Sequence, residues 1–299
     1  DRYAVTFLQG GSSLLFATIP MNFATRVWAP PAYVNSGYWS QRASAEAQRA
    51  GECHIAWDGA HAGFRELPAL ARLDVEPNAA YLHYVSNETV EGLQFAVPDD
   101  DLRVPLIADM SSDFLSKPLE TSRFAMIYAH AQKNLGPAGV TVALIDRALL
   151  ARIPDGLPRI LDLRTQIEHR SNYNTPPVFA IYVLALVTRW LRDDIGGLAA
   201  MQRINEAKAQ RLYGTLDAMR DAVTVHAGRP WRSQMNAAFT FGDERLDRAF
   251  IASAGERGIV GLEGHRSLGG LRASLYNAVT LDAVETLCEA LTDFALCHA

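Results

Sequence analysis

The sequence predicts an α/β fold, in which a large domain with a mostly parallel sheet precedes a smaller C-terminal domain of α+β type. Up to about residue 150, short apolar runs rich in strand-forming residues alternate with longer helix-like segments, a pattern typical of parallel sheets. Later in the chain the pattern changes to strands interleaved with long helices. The 299 residues, 49% of them hydrophobic, are enough to bury a core in each part.

The first half contains five strand-like runs: "YAVTFL", "AYLHYV", "VPLIAD", "FAMIYAH" and "VTVALI". Only "AQKNLGPAG" separates the last two, which is too short for a crossover helix, so we expect these two strands to pair antiparallel. Lys133 therefore lies in a tight loop at the carboxyl end of a strand.

The segment from Leu150 to Thr175 is loop-rich, and such segments in compact domains usually serve function or an interface. Two helices follow, "VFAIYVLALVTRWL" and "LAAMQRINEAKAQRLYGTLDAM". The remaining residues predict strands in "SQMNAAFTF", "GIVGLEG" and "LRASLYNA", with helices at 244–254 and 281–296. We place the domain boundary near residue 191, giving domains 1–191 and 192–299.

The charge pattern argues against nucleic acid and membranes as partners. The net charge is -5 and both signs are well mixed, so no basic field is available to attract phosphate backbones or anionic lipids. The longest apolar run, Val178 to Val187, is about half the ~20 residues that a bilayer span needs. We expect a small-molecule ligand.

Three widely spaced cysteines, Cys53, Cys288 and Cys297, form no C-x-x-C pair, so neither a disulfide framework nor a zinc site is expected. A reducing, cytoplasmic compartment fits this pattern. Because the chain begins with Asp1 and is strand-like from Tyr3, we also expect it to begin inside a longer protein.

Lys133 and Asp109 are the first candidates for chemistry. Most loop lysines are solvated, but ligands of open α/β sheets bind beyond the carboxyl ends of strands, where a desolvated lysine can form a Schiff base. Asp109 ends the apolar run "VPLIAD" and could be a helix N-cap or the partner of a cation. The histidines near the strands, His83 and His130, are expected to be structural.

A second candidate is the turn after the first strand. "FLQGGSSLLF" reads as a strand, a turn with Ser12 and Ser13, and a helix, which can bind a compact phosphate through backbone N–H groups. Trp39 could be core or could stack on a planar ring. Thr89 could be a turn residue or a hydrogen-bond donor to that ring.

A third candidate is the basic turn "GHRSLGGLRAS", which contains His265, Arg266 and Arg272. Such a turn is commonly only solvated. Alternatively it is an anion site, since the arginine fork suits a carboxylate or phosphate.

Taken together, "YAHAQKNLGPAG", "ADMSSDFLSKP", "GYW", "SNET", "YNTPP" and "GHRSLGGLRASLYNA" closely resemble the phosphoserine aminotransferase family. These are class V, fold-type-I enzymes that use pyridoxal phosphate. The matching blocks follow the family order over essentially the whole chain. The resemblance implies amino transfer from L-glutamate to 3-phosphohydroxypyruvate in serine biosynthesis, and leaves open whether 4-phosphohydroxythreonine of vitamin B6 synthesis is also a substrate.

The resemblance also implies roles for individual residues. Lys133 would form the Schiff base and Asp109 would bind the pyridine nitrogen, while Trp39 would stack on the ring and Thr89 would bond its phenolic oxygen. The residues implied to hold the cofactor phosphate are Ser12, Ser13 and Gln132, joined by Asn174 and Thr175 of the other subunit of a homodimer. Arg272 would bind the substrate α-carboxylate, and His265 and Arg266 would belong to the side-chain pocket, reached across the dimer. No metal is implied.

Two features differ from the family pattern. The family begins with a further segment that contains a Ser-Gly-Pro stretch and a substrate-binding His-Arg pair, and this segment is not in the present sequence. Some members also carry arginine at the position of Ser13, so the pocket is expected to rely more on His265 and Arg266.

Three alternatives remain. Alanine-glyoxylate or serine-pyruvate transaminases would leave His265 and Arg266 without an obvious ligand. A cysteine desulfurase needs a cysteine on a mobile loop, whereas Cys288 shares an apolar helix face with Leu287 and Leu291. A non-catalytic binding module of the same fold would have no need of both Lys133 and Asp109.

Overall fold

The computed structural model describes residues 2–25, 29–96, 98 and 102–298. The strands are β1 Tyr3–Leu8, β2 Ala32–Asn35, β3 His54–Asp58, β4 Leu82–Val85, β5 Asn87–Glu88, β6 Leu93–Gln94, β7 Leu106–Asp109, β8 Met126–His130, β9 Thr141–Asp146, β10 Thr224–Val225, β11 Asn236–Thr240 and β12 Leu271–Ser274. The α-helices are α1 Gly11–Phe23, α2 Tyr38–Ala50, α3 Leu163–Glu168, α4 Val178–Asp193, α5 Leu198–Ala218, α6 Glu244–Glu256 and α7 Leu281–His298. Short 3₁₀ helices lie at Gly59–Ala62, Leu70–Arg72, Thr121–Arg123, Arg147–Arg152 and Arg229–Trp231.

A seven-stranded sheet organises the first half of the chain, in the order β1-β9-β8-β7-β4-β2-β3. The pairs from β8 through β7, β4 and β2 to β3 are parallel, whereas β9 runs antiparallel to both β8 and β1. The predicted antiparallel pairing across the short Lys133 loop is therefore confirmed. The carboxyl ends of β1, β2, β4, β7 and β8 all lie at the same edge of the sheet.

Both faces of this sheet are covered, which explains why its central strands are apolar throughout. Every residue of β2, β4 and β7 is buried, as expected for parallel strands between layers of helix and loop. Helices α1 and α2 pack together on one face, where Phe16, Ile19 and Phe23 contact buried tyrosines of the sheet. A second cluster of buried residues fills the other face.

The C-terminal part has a core of its own. Strands β10, β11 and β12 form an antiparallel sheet, and a third cluster joins this sheet to α5, α6 and α7. Cys288 is buried in this cluster, as predicted. A domain boundary near residue 191 remains a proposal, supported by the fact that this third core begins at Ala209.

Some local predictions were wrong or incomplete. "GIVGLEG" forms no strand beyond a single bridge from Glu263 to Leu271, because Gly258 and Gly261 adopt positive φ, which interrupts extended structure. The short strands β2 and β3 were not predicted, and the loop-rich segment before residue 175 contains helix α3. Within the described residues, no helix combines the length and the apolar character needed to cross a bilayer.

Candidate functional site

A cavity of about 250 Å³ lies at the carboxyl edge of the large sheet. Its walls come from the turn before α1, the start of α2 and the ends of β4, β7 and β8. The lining residues are Gly10, Gly11, Ser12, Ser13, Trp39, Val85, Asn87, Asp109, Ser111, Ser112, His130, Gln132 and Lys133. Six of the residues singled out from the sequence therefore line the same cavity, although they lie far apart along the chain. They are Ser12, Ser13, Trp39, Asp109, Gln132 and Lys133.

The N-terminus of α1 points its backbone N–H groups at this cavity. Gly10 and Gly11 both adopt left-handed φ, 91° and 69°, which only glycine adopts readily. A Cβ on Gly10 would lie 2.4 Å from Leu14 Cδ2. The helix has no side-chain N-cap bond, so its first-turn N–H groups and the nearby Ser12 and Ser13 hydroxyls form a cradle that suits a phosphate.

Asp109, the last residue of β7, is buried at the floor of the cavity. Its Oδ1 accepts a hydrogen bond from Ser111 N at 2.8 Å. Burial nevertheless raises the pKa of the Asp109 carboxyl, although the hydrogen bonds from Ser111 and the charge of Lys133 oppose this shift. A buried carboxylate of this kind is stabilised by a further cation, such as a protonated ring nitrogen.

Lys133 follows β8 and extends its amine into the cavity. Burial lowers the pKa of this amine, and the charges of Asp109 and Glu88 partly offset the effect. Its Nζ lies 5.3 Å from the centroid of the Trp39 ring. A lysine with a lowered pKa, facing a flat aromatic wall, can act as a nucleophile toward an aldehyde.

Trp39 is held in place by the loop that follows β4. Its indole Nε1 donates to Oγ1 of Thr89 at 3.0 Å. Thr89 is buried behind the indole and does not itself line the cavity. The tryptophan therefore presents its ring beside Lys133, as a stacking role requires.

The basic turn lies next to the start of α2 in the same chain. The His265 ring is 4.5 Å from the Tyr38 ring, centroid to centroid. Arg42 Nη1 donates to the Tyr38 hydroxyl at 3.1 Å, and the bond to Arg42, followed by that to Arg266, lowers the pKa of Tyr38. Two arginines and a histidine thus converge on one tyrosine, and the two guanidinium charges make this part of the site attractive to anions.

Arg272 lies on β12 and connects the small sheet to the cavity. Its charge acts on both Lys133 and His265. The Nε atom of Arg272 is buried and has no hydrogen-bond partner among the described residues. A guanidinium with a free buried N–H is suited to a ligand carboxylate.

Asn174 and Thr175 are not at this cavity. Both are exposed; Asn174 lines a separate cavity beside β1, and the carbonyl of Thr175 accepts from Gln9 Nε2 at 2.7 Å. Their exposure leaves them available to another copy of the chain, but the role assigned to them remains a prediction.

Sequence reasoning missed four polar residues of the cavity: Asn87, Ser111, Ser112 and His130. His130 was expected to be structural; instead it lines the cavity, with Nδ1 2.9 Å from Thr141 Oγ1. The Ser111 hydroxyl lies 2.7 Å from that of Ser12 and accepts from His130 N at 3.1 Å. All four lie in or next to the strand-end motifs "SNET", "ADMSS" and "YAH", so position after a buried strand was the available signal.

These residues fit pyridoxal phosphate. The α1 cradle suits its phosphate, the buried Asp109 suits a protonated ring nitrogen, Trp39 offers a stacking face, and Lys133 offers an amine.

None of the three free cysteines, Cys53, Cys288 and Cys297, lines the described cavity. Among the described residues, no group of His, Cys, Asp and Glu side chains is arranged to hold a metal ion.

Comparison with known proteins places this site in context. Residues 1–287 match the family model described as aminotransferase class-V. A phosphoserine aminotransferase of Geobacillus kaustophilus (strain HTA426) is 48% identical over 98% of this chain and 81% of the relative. One from Nitrosomonas europaea is 43% identical over the whole chain and 83% of the relative.

Solved structures agree with these sequence matches. Phosphoserine aminotransferase from Bacillus circulans subsp. alkalophilus superposes with a TM-score of 0.96 at 42% identity, over 100% of this chain and 82% of that one. The pyridoxal phosphate-bound enzyme of Trichomonas vaginalis gives a TM-score of 0.89 at 35% identity, over 98% and 83%. An alanine–glyoxylate aminotransferase from Nostoc sp., at 17% identity over 97% of this chain and 81% of that one, has a TM-score of 0.78 and shares the fold.

Proposed function

The chain belongs to the class-V aminotransferase family, and we propose that it transfers an amino group between L-glutamate and 3-phosphohydroxypyruvate. The products are 2-oxoglutarate and O-phospho-L-serine. It is a pyridoxal phosphate-dependent transaminase with the fold-type-I architecture. One observation carries the proposal: the cavity brings Lys133, Asp109 and the α1 cradle together, with His265, Arg266 and Arg272 beside them.

Six residues would position the cofactor. The first turn of α1, with Ser12, Ser13 and Gln132, binds the phosphate, while Trp39 covers one face of the ring. The Thr89 hydroxyl would donate a hydrogen bond to the phenolic oxygen. Asp109 holds a proton on the ring nitrogen. When bound, pyridoxal phosphate supplies an aldehyde that takes up an amine and a protonated ring that withdraws electrons.

Lys133 moves the proton in the reaction. With cofactor and substrate bound in the cavity that Lys133 lines, its free amine would be the base nearest to the hydrogen on the substrate Cα. Because burial lowers its pKa, the Lys133 amine gives up its own proton more readily than an exposed lysine, which suits it to take the Cα proton and return it at the neighbouring carbon.

Substrate orientation follows from the cationic groups. Arg272 binds the α-carboxylate through the N–H that has no partner within the described protein. His265 and Arg266 bind the phosphate of one substrate and the side-chain carboxylate of the other. The same phosphate contacts suit 4-phosphohydroxythreonine, and we include it as a second substrate.

The active unit is a homodimer. Support comes from α4, whose first turns expose Val178, Phe179 and Tyr182 directly after Asn174 and Thr175. Apolar side chains at this helical spacing form a face that a second copy can bury. In that arrangement Asn174 and Thr175 reach the phosphate cradle of the partner.

A cytoplasmic location is in keeping with three free cysteines.

The experiment that tests the substrate assignment compares O-phospho-L-serine with L-alanine in variants of the basic turn. In His265→Ala and Arg266→Ala, KM for O-phospho-L-serine should rise about 10- to 100-fold, as expected when a charged hydrogen bond is lost. The rate with L-alanine should change little. Equal losses with both amino acids, or no loss with phosphoserine, would contradict the phosphate role.

A further inference from the structure

Two buried carboxyl groups hold the first turn of α2, the helix that carries Trp39. Glu88 Oε2 accepts from Trp39 N at 3.0 Å and Glu88 Oε1 accepts from Ser40 N at 2.9 Å. Glu91 Oε1 accepts from Tyr38 N at 2.9 Å. These bonds satisfy three of the four N–H groups that an α-helix leaves free at its start.

The two carboxyl groups meet at Gly37, the residue before the helix. A Cβ at this position would lie 2.5 Å from Glu91 Oε2 and 2.8 Å from Glu88 Cδ. Only glycine leaves the room that both side chains occupy. Glu88 and Glu91 are 0% and 6% exposed, so water cannot separate their charges.

The hydrogen-bond donors are divided unequally between the two. Besides the two backbone N–H groups, Glu88 accepts from the Ser36 hydroxyl at 3.2 Å, and the charge of Lys133 faces it. Glu91 Oε2 is buried and has no partner among the described residues. Burial raises the pKa of Glu88 as well, but its hydrogen bonds oppose that shift, so ionisation is favoured at Glu88 over Glu91, and a proton on Glu91 removes the repulsion between two buried like charges.

We propose that Glu88 and Glu91 form an electrostatically coupled carboxyl pair that positions Trp39 over the cofactor, with Glu88 ionised and Glu91 protonated. The segment that carries the pair contacts Trp39 at two points. Glu88 accepts from its backbone N–H, and Thr89, the next residue, accepts from its indole N–H. These are positioning residues: neither carboxyl group lines the cavity. The inference rests on the proposed cofactor site, and it adds a pH dependence to that site.

The direction in which pH changes the stability of the folded chain follows from the difference in the Glu91 pKa between the folded and unfolded states. Burial, and then the charge of Glu88, raise the pKa of Glu91 to about 8, from an ordinary 4.5. Between these values the folded chain holds a proton that the unfolded chain has lost, so stability decreases as pH rises through this window. Above about pH 8, Glu91 ionises and repels Glu88, and the first turn of α2 loosens.

Glu91→Gln tests the proposal because glutamine mimics the protonated side chain at every pH. Glu46→Gln is the matched control, since Glu46 lies on α2 but pairs with Arg49 at the surface. In the cofactor-free protein, infrared spectra at neutral pH should contain a protonated-carboxyl band that Glu91→Gln lacks and Glu46→Gln retains. This measurement does not depend on transaminase activity, so it tests the protonation of Glu91 separately from the substrate assignment.

Cofactor binding supplies the second readout. From about pH 6 to about pH 9.5, release of pyridoxal phosphate should accelerate at least about threefold in the native chain and the Glu46→Gln control, but stay constant in Glu91→Gln. Glu88→Gln should accelerate release at all pH values, since its amide replaces an acceptor with a donor. An unchanged carboxyl band in Glu91→Gln, or the same pH profile of release as the native chain, would overturn the proposal even if Glu88→Gln does not fold.

Discussion

The indole Nε1 of Trp39 donates to the hydroxyl of Thr89 at 3.0 Å. Because an indole nitrogen can only donate, Thr89 Oγ1 must accept in this bond. The threonine hydroxyl proton is thereby left for a different acceptor, which in the proposed site is the phenolic oxygen of the cofactor. In the proposed site, this one contact therefore links the stacking role of Trp39 to the hydrogen-bonding role of Thr89.

Thr89→Val should distinguish the hydrogen bonds of the Thr89 hydroxyl from the contribution of its side chain to packing. Valine keeps the shape and loses the hydroxyl, so kcat should fall about 10- to 100-fold, the loss expected for a hydrogen bond to a charged oxygen. Thr89→Ser keeps the hydroxyl and should retain most activity. Steady-state kinetics with both variants measure this, and equal activity in valine and serine variants would remove Thr89 from the account.

Asp109→Asn should lower kcat by about 10²- to 10³-fold, as removal of one electrostatic stabiliser of the reacting charge does. Asparagine keeps the bond to Ser111 N but cannot hold a proton on the ring nitrogen. Asp113→Asn is the control, since Asp113 is also a buried carboxyl, in the turn that follows β7, but it accepts from Gln94 and lies outside the cavity. Its kcat should change less than about tenfold; a comparable loss in both variants would make the Asp109 effect structural.

If the proposed homodimer forms through α4, Phe179→Asp should convert it to a monomer and weaken cofactor retention. Phe179 is 73% exposed on α4, and a carboxylate there would be buried without a partner in the proposed interface. Leu296→Asp is the matched control, because Leu296 is similarly exposed, at 76%, but lies on α7 instead of α4. Sedimentation of the full chain should give a monomer only for Phe179→Asp, and a dimer for both variants would contradict the proposed face.

Much of this site was predictable because parallel strands bring their carboxyl ends to one edge. Asp109 and Lys133 each follow a buried apolar run, so their meeting followed from the sheet. The short loop between β8 and β9 likewise fixed an antiparallel pair. Strand β3 was missed because its residues are exposed or half-buried and lack the apolar pattern of the central strands.

Other features depend on contacts that no local pattern encodes. Glu88 and Glu91 bond backbone N–H groups about fifty residues earlier in the chain, and nothing in "SNETVEG" indicates that partner. The convergence of Arg42, Arg266 and His265 on Tyr38 also depends on how the small domain packs against α2. The roles proposed for Asn174 and Thr175 depend on contacts with a second copy, which the pattern of one chain does not encode.

The most direct test of the central claim is the visible absorbance of the purified protein with pyridoxal phosphate, recorded before and after each amino acid. We predict a visible band from the lysine-bound cofactor that is bleached by L-glutamate and by O-phospho-L-serine, and that is absent from Lys133→Ala. Bleaching by L-alanine but not by O-phospho-L-serine would contradict the substrate assignment while keeping Lys133. No visible band after addition of pyridoxal phosphate would contradict the transaminase itself.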